Sequence, residues 1–313
     1  AVLGDPVALA FPPPRAARQR VLKAILAALD DGCVQEVDDE LYAECVEGIA
    51  GNSGLEASSG ACEGFDGYRT LELPGSGCVV LRVAAQIGGA LETGSALWTA
   101  GCALLGLAVA GAFDELLRGH VLELGAGTGA LGLGLARRGR PAELVTLTDG
   151  QPAVVENLRH NAAATARLGA TAATVEVRHL DWGSPELAEL PERPVDAVVG
   201  SDLVYDPASL PALATLLRRL LRPQGTAAAA LLGVTRRSEE TMQSLFAALE
   251  AAGLSWQELE VPREAWSSAE PWLRLAHDRP PDGADAGSVA TVCVLRVEAA
   301  AAAAASLDVS LKK

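Results

Sequence analysis

The chain has 313 residues, half of them apolar but only 4% aromatic, so it is long enough for one large domain or two smaller ones around a core filled by Ala, Leu and Val. Its formal net charge of −15 excludes a nucleic-acid binder that tracks a phosphate backbone, which needs clustered Lys and Arg. Cys33, Cys45, Cys62, Cys78, Cys102 and Cys293 form no C-x-x-C pair and no Cys/His cluster at metal-ligand spacing, so no metal site is expected, and a reduced, cytoplasmic chain with buried thiols is.

The chain opens Ala-Val-Leu-Gly without Met, which leaves its true N-terminus open, and no basic n-region precedes an apolar block. Pro12-Pro13-Pro14 ends an irregular start and suits the first turn of a helix. From Arg15 to Leu29 that helix carries a stripe of Leu22, Ile25, Leu26 and Leu29, with Arg15, Arg18, Arg20 and Lys23 lying mostly elsewhere. A second helix is expected over Asp38–Ile49, where an acidic start complements the helix dipole and Leu41, Tyr42, Cys45, Val46 and Ile49 share a face. Residues 51–64 are Gly- and Ser-rich and read as a linker. Tyr68–Leu73 and Cys78–Val83 alternate in polarity around Pro74-Gly75-Ser76-Gly77, as a β-hairpin does. Residues 1–90 are thus expected to be an accessory region of two helices and a hairpin.

Thr93 to Phe113 holds no charged side chain, close to the ~20 residues that span a bilayer. Its Thr, Ser and Gly content favours a buried helix instead, and no membrane association is expected. His120–Leu124 then reads as a short buried strand, Gly125, Gly127 and Gly129 as a tight turn, and Ala130–Arg138 as a helix. Such a loop aims free N–H groups and a positive helix end at a ligand, with the Glu123 carboxylate beside it for a ribose or a cationic group.

Beyond the loop the rhythm is strand and helix in turn. Strands are expected at 144–148, 174–180, 195–201 and 226–232, with helices at 152–164, 209–221 and 238–252. Repeated βα units imply a parallel sheet covered by helices on both faces. Leu254–Val261 and Thr291–Val297 close the sheet as an antiparallel pair bridged by a loop over 262–290, and the Ala-rich stretch from 299 to 313 is a tail without an assigned role.

Ligands of such sheets lie outside the carboxyl ends of the strands. There the sequence places Gly125 to Gly129, then Asp149, then Asp181-Trp182, then Ser201-Asp202 with Tyr205. Asp149 follows the loop by the ~20 residues expected of a carboxylate that reaches ribose hydroxyls. Asp181 is placed to accept from an adenine amino group, with Trp182 packing nearby. Gly125-x-Gly127-x-x-Ala130 and Gly127-x-Gly129-x-x-Gly132 both fit a dinucleotide fingerprint, so the glycines alone leave a nicotinamide oxidoreductase open beside an S-adenosylmethionine enzyme.

Glu123 before the first glycine, the G-x-G-x-G spacing and the polar fourth strand end together resemble the S-adenosylmethionine-dependent methyltransferases. Asp202-Leu203-Val204-Tyr205 after a V-D-A-V-V-G-S strand is similar to the D-x-x-Y signature of the seven-strand protein lysine methyltransferases, as are Gly94-x-x-x-Trp98, Leu147-Thr148-Asp149 and Leu180-Asp181-Trp182 in order and spacing. Within that group the chain resembles the eukaryotic elongation factor 2 lysine methyltransferase family over about residues 12–261, with Asp39-Glu40-Leu41-Tyr42 and the hairpin matching its N-terminal region.

The resemblance implies a Rossmann-like seven-stranded α/β sheet with helices on both faces over residues 91–298, and S-adenosyl-L-methionine bound by Trp98, Glu123, Gly125, Gly127, Gly129, Asp149, Asp181, Trp182 and Ser201. It implies Asp202 and Tyr205 as catalytic residues, and a protein substrate, elongation factor 2, modified on a lysine. A methyltransferase acting on another protein or on a small molecule shares the cofactor site and is the alternative. Methyl transfer to lysine requires a neutral amine, whose ordinary pKa is near ~10.4, so the site must desolvate it or give its proton a way out. Asp202 is suited to accept from the amine and Tyr205 to wall a narrow channel.

Overall fold

The strand leading into the glycines, β3 (Gly119–Leu124), is flanked by β4 (Ala142–Asp149) on one side and β6 (Ala197–Ser201) on the other, both parallel to it. Outside these lie β5 (Thr174–His179) and β7 (Ala230–Thr235), also parallel. The last strand, β9 (Val292–Ala299), inserts antiparallel between β7 and β8 (Leu254–Glu258), giving the sheet order β5-β4-β3-β6-β7-β9-β8. From β3 the chain builds outward through β4 and β5, then returns to the other side of β3 to start β6. The crevice at the carboxyl ends therefore opens above β3, at the switch point. These relations come from a computed structural model that describes residues 5–30, 65–84, 93–139, 141–184, 190–222, 225–276 and 292–300, with the single positions 43 and 46.

Strand periodicity decides which side chains meet which helices. Along β3, Val121 and Glu123 face one side of the sheet, toward α3 (Thr99–Val109) and α4 (Ala130–Arg138). Leu122 and Leu124 face the other, joining α6 (Leu210–Leu220) and α7 (Glu239–Ala251) in a second core. The N-terminal helices α1 (Pro6–Ala10) and α2 (Arg15–Asp30) precede the hairpin strands β1 (Phe65–Leu73) and β2 (Gly77–Ala84). The hairpin buries Leu71, Leu73, Val79, Leu81 and Val83 in the same cluster as α3 and α4. The hairpin expected within residues 1–90 thus shares a core with helices of the 91–298 region.

The structure corrects the expected loop over 262–290. Its first part is a helix, α8 (Arg263–Leu273), whose Trp266, Ala269, Trp272 and Leu273 turn inward at helical spacing. Pro271 inside it and two serines obscure that pattern in the sequence. The partner surface is α3, where Gly106 lets α8 come so close that a Cβ there would lie 2.6 Å from the Ala269 Cα and from the Trp272 ring. The strand expected at 226–232 begins later, at Ala230, because Ala227 is taken up in a parallel bridge to Leu221. Only Thr99–Val109 of the uncharged stretch is α-helical, after a short turn at Thr93–Ser95, and among the described residues no helix is long and apolar enough to cross a membrane. The helix expected at Asp38–Ile49, the linker at 51–64, residues 277–290 and the tail beyond 300 lie outside the described residues.

Candidate active site

Glu123 is buried at 2% exposure beneath α4, where its Oε2 accepts a hydrogen bond from the Gly132 N–H at 3.0 Å. Residue 132 has to be glycine, because a Cβ there would sit 2.3 Å from that oxygen and 2.1 Å from Leu147. Burial pushes the Glu123 carboxyl up to about 8, the Gly132 hydrogen bond opposes this, and the nearby Asp149 charge adds to it. Glu123 is therefore a largely protonated group at neutral pH, holding the start of α4 onto the sheet.

Asp149 anchors the loop from the neighbouring strand. Its Oδ2 accepts from the Gly127 N–H at 3.1 Å and its Oδ1 from the Gln151 N–H at 3.1 Å. Burial raises its pKa, with the backbone hydrogen bonds and then the His179 charge opposing. The Ala126 N–H donates to the Thr148 carbonyl and the Gly129 N–H to the Ala126 carbonyl, both at 2.8 Å. Three loop amides expected to be free for a ligand are thus engaged within the chain, one of them by a carboxylate.

This accounting discriminates between the two cofactors. A pyrophosphate on a glycine loop needs those amides and a positive helix end. Here Asp149 holds one of the amides and Glu123 takes an N–H of the first helical turn, so a polyanion would meet fewer donors and the Asp149 carboxylate. A ligand with hydroxyls and a cationic centre meets the Asp149 carboxylate as an acceptor instead. Gly125 and Gly127, at φ 58° and 55°, adopt the left-handed backbone that glycine favours and line the cavity, where a Cβ on Gly125 would lie 2.6 Å from Leu203 and 3.4 Å from Trp182. The open space before the loop is a cradle that side chains would fill. Gly129 is the exception among the expected residues: its missing Cβ faces Leu158 and Leu133, so it serves the turn into α4 and does not line the cavity.

The cavity encloses about 770 Å³ and brings the other expected residues together, with Glu123 and Asp149 at its floor and Asp181, Trp182, Ser201, Asp202, Tyr205 and Trp98 around it. That volume lies within the usual range for small-molecule sites. Asp181 is exposed and turns one oxygen to the Gly183 N–H at 2.9 Å. Trp182 packs its ring against the core on the α6 side. Trp98 is the residue before α3, and its indole N–H donates to the Thr93 carbonyl at 2.9 Å.

Asp202 occupies the left-handed region at φ 51°, alone among the described non-glycine residues. Its Oδ2 accepts from the Ala100 N–H at 2.8 Å and the Gly101 N–H at 3.4 Å. Trp98 offers α3 no side-chain cap, so Asp202 supplies from β6 the acceptor that a helix start needs. Its Oδ1 lies 3.9 Å from the Arg237 guanidinium, which also sits 5.5 Å above the Trp98 ring. Asp206 caps the turn that follows by accepting from the Ala208 N–H, leaving Asp202 for the site. Tyr205 is 61% exposed at the rim, so it is not a core aromatic.

Arg237 escaped the sequence reading although it obeys the same rule as the other site residues, standing two positions beyond a strand end. Its signal was hidden because the strand was expected to stop at Leu232. Gly94 was also undervalued: its carbonyl crosses over the loop, 2.9 Å from where a Gly127 Cβ would be. Among the described residues no group of His, Cys, Asp and Glu could hold a metal ion.

A family model described as lysine methyltransferase matches residues 66–252, from the hairpin through α7. The human protein-lysine N-methyltransferase EEF2KMT is 30% identical over 230 residues, covering 70% of this chain and 66% of its own. The protein-lysine N-methyltransferase EFM3 of Chaetomium thermophilum is 28% identical over 263 residues, 78% of this chain and 75% of its own. EEF1A lysine methyltransferase 3 of Mus musculus is 33% identical over 147 residues, 47% of this chain and 59% of its own. The chain spans just under two thirds of the length of the human relatives it matches. With more than half of its residues matched, including both carboxylates that hold the glycine loop and the Asp202–Tyr205 rim, the chain belongs to the lysine methyltransferase family.

Proposed function

We propose that the chain is a cytoplasmic protein-lysine N-methyltransferase that uses S-adenosyl-L-methionine and acts on a lysine of elongation factor 2. The observation that carries the reading is the engagement of the loop and helix amides by Asp149 and Glu123, which disfavours a phosphate-bearing cofactor and favours a nucleoside with a cationic sulfur. When bound, that group supplies a methyl on a sulfonium with a neutral leaving group. The chain's own residues do the rest. Asp149 accepts from hydroxyls, and the Trp98 and Trp182 side chains supply apolar wall to the cavity. Asp202 lines the cavity, where its carboxylate can accept a hydrogen from the incoming amine, and Tyr205 borders the entrance. Elongation factor 2 as the acceptor is supported by the human relative, whose name gives EEF2. The mouse relative, whose name gives EEF1A, makes elongation factor 1A the comparison acceptor.

The test is transfer of labelled methyl by the full chain to each purified factor, with the modified residue located by mass spectrometry. Label on one lysine of elongation factor 2 is expected. Label on elongation factor 1A alone would replace the acceptor, and label on small molecules with no protein labelled would overturn the protein-lysine reading. A thermal shift with NAD but none with S-adenosylhomocysteine would overturn the cofactor.

A further inference from the structure

The two hairpin strands pair with each other, and the outer edge of β2 is turned to α5 (Pro152–Arg167). An open strand edge must be covered or paired. Here α5 covers it with three fully buried polar side chains at i, i+4 and i+8, Asn157, Asn161 and Thr165, which share one helix face. The Thr165 hydroxyl accepts from the Val80 N–H at 3.1 Å and returns its hydrogen to the Val80 carbonyl at 3.3 Å. Asn157 donates to the Arg82 carbonyl at 3.2 Å and accepts from the Arg82 Nε at 2.9 Å. The Asn161 Oδ1 accepts from the Arg82 N–H at 2.8 Å.

Asn161 alone of the three also reaches the ligand loop. Its Nδ2 donates to the Thr128 carbonyl at 2.9 Å. Thr128 stands between Gly127 and Gly129, at φ 55° and 83°, so its peptide planes are flanked by the two most permissive residues of the loop. Asp149 fixes one side of this segment through the Gly127 N–H, and Asn161 fixes the other through the Thr128 carbonyl. We propose that Asn161 is a positioning residue for the glycine loop, and that through it docking of the hairpin and occupancy of the cofactor site are energetically coupled. The hairpin is then a support of the cofactor site. This inference rests on the reading that the loop holds the nucleoside cofactor, and the following experiment separates the two.

S-adenosylhomocysteine binding to the full chain is measured by calorimetry, and amide hydrogen exchange is followed at β2 and at residues 125–129, for the wild type, Asn161→Ala and Thr165→Val. Thr165→Val loosens the same edge without touching the loop, so it reports a purely structural effect. Expected are a loss of affinity of about five-fold or more in Asn161→Ala, the scale of one hydrogen bond, and an affinity within about two-fold of wild type in Thr165→Val. By reciprocity, bound S-adenosylhomocysteine slows exchange of the Arg82 amide in the wild type and not in Asn161→Ala. If Asn161→Ala does not fold, Asn161→Asp keeps the acceptor for the Arg82 N–H, removes the donor to Thr128, and is expected to weaken binding in the same sense. Unchanged affinity in the Asn161 variant, with a wild type that binds, overturns the coupling alone. A wild type that binds no S-adenosylhomocysteine overturns the cofactor reading. Loop exchange without ligand then decides the positioning role: faster exchange in Asn161→Ala than in Thr165→Val supports it, and equal exchange overturns it.

Discussion

Replacing Glu123 by Gln removes a titration while keeping an acceptor for the Gly132 N–H. Burial raises the Glu123 carboxyl from an ordinary 4.5 to about 8, so the folded state holds this proton more tightly than the unfolded one. For an acid shifted upward, the stabilising contribution is full below pH 4.5 and is lost as pH rises toward 8, after which it is constant. At 1.36 kcal/mol per pH unit, the wild type should lose about 4 kcal/mol from this one group between pH 5 and 9, of which about 1 kcal/mol falls between pH 7 and 9. Asp149 is also raised and contributes in the same direction, so the informative quantity is the difference between wild type and Glu123→Gln. Urea unfolding at pH 5, 7 and 9, without ligand, provides it: the stability gap should move in favour of the Gln variant as pH rises. Two pH profiles that run parallel would refute the argument and mean that Glu123 is already ionised in the folded protein.

Asp202→Ala removes the acceptor at the start of α3 and should cost about 1 kcal/mol of stability together with most of the turnover. Asp202→Asn, which keeps that acceptor, should recover the stability and not the rate; recovery of both would make Asp202 a purely structural cap. Tyr205→Ala, at a side chain that is 61% exposed, should leave unfolding within about 0.5 kcal/mol and S-adenosylhomocysteine affinity unchanged while lowering protein methylation. A loss of cofactor affinity equal to the loss of rate would move Tyr205 from the rim to the cofactor. Gly106→Val drives a side chain into Ala269 and Trp272 and should destabilise by about 1–3 kcal/mol in urea unfolding. No change in the midpoint would show that α8 does not pack on α3.

Local chemistry made much of this protein readable from its chain. Short, mostly apolar runs at 120–124 and 195–201, followed by glycines and by Ser201-Asp202, fix strands and strand ends, because a buried parallel strand must be apolar and its ligand-facing end polar. The same rule places Asp149 and Asp181-Trp182 at one rim, since parallel strands bring their carboxyl ends together. What the chain alone could not decide depends on which surfaces meet. The α8 helix owes its place to the gap above Gly106, which appears only once α3 is docked on the sheet. Asp202 caps a helix 102 residues earlier in the chain, Arg237 reaches Asp202 and Trp98 from a strand whose end was misjudged, and Asn161 joins the hairpin to the glycine loop. Motif spacing reports backbone geometry within one βα unit, whereas the partners of a buried amide or carboxylate are set by the packing of elements distant in sequence. The glycine loop was legible as a binding loop from its residues, but the N–H groups it offers, and hence the charge of the ligand it suits, were decided by Glu123 and Asp149 in three dimensions.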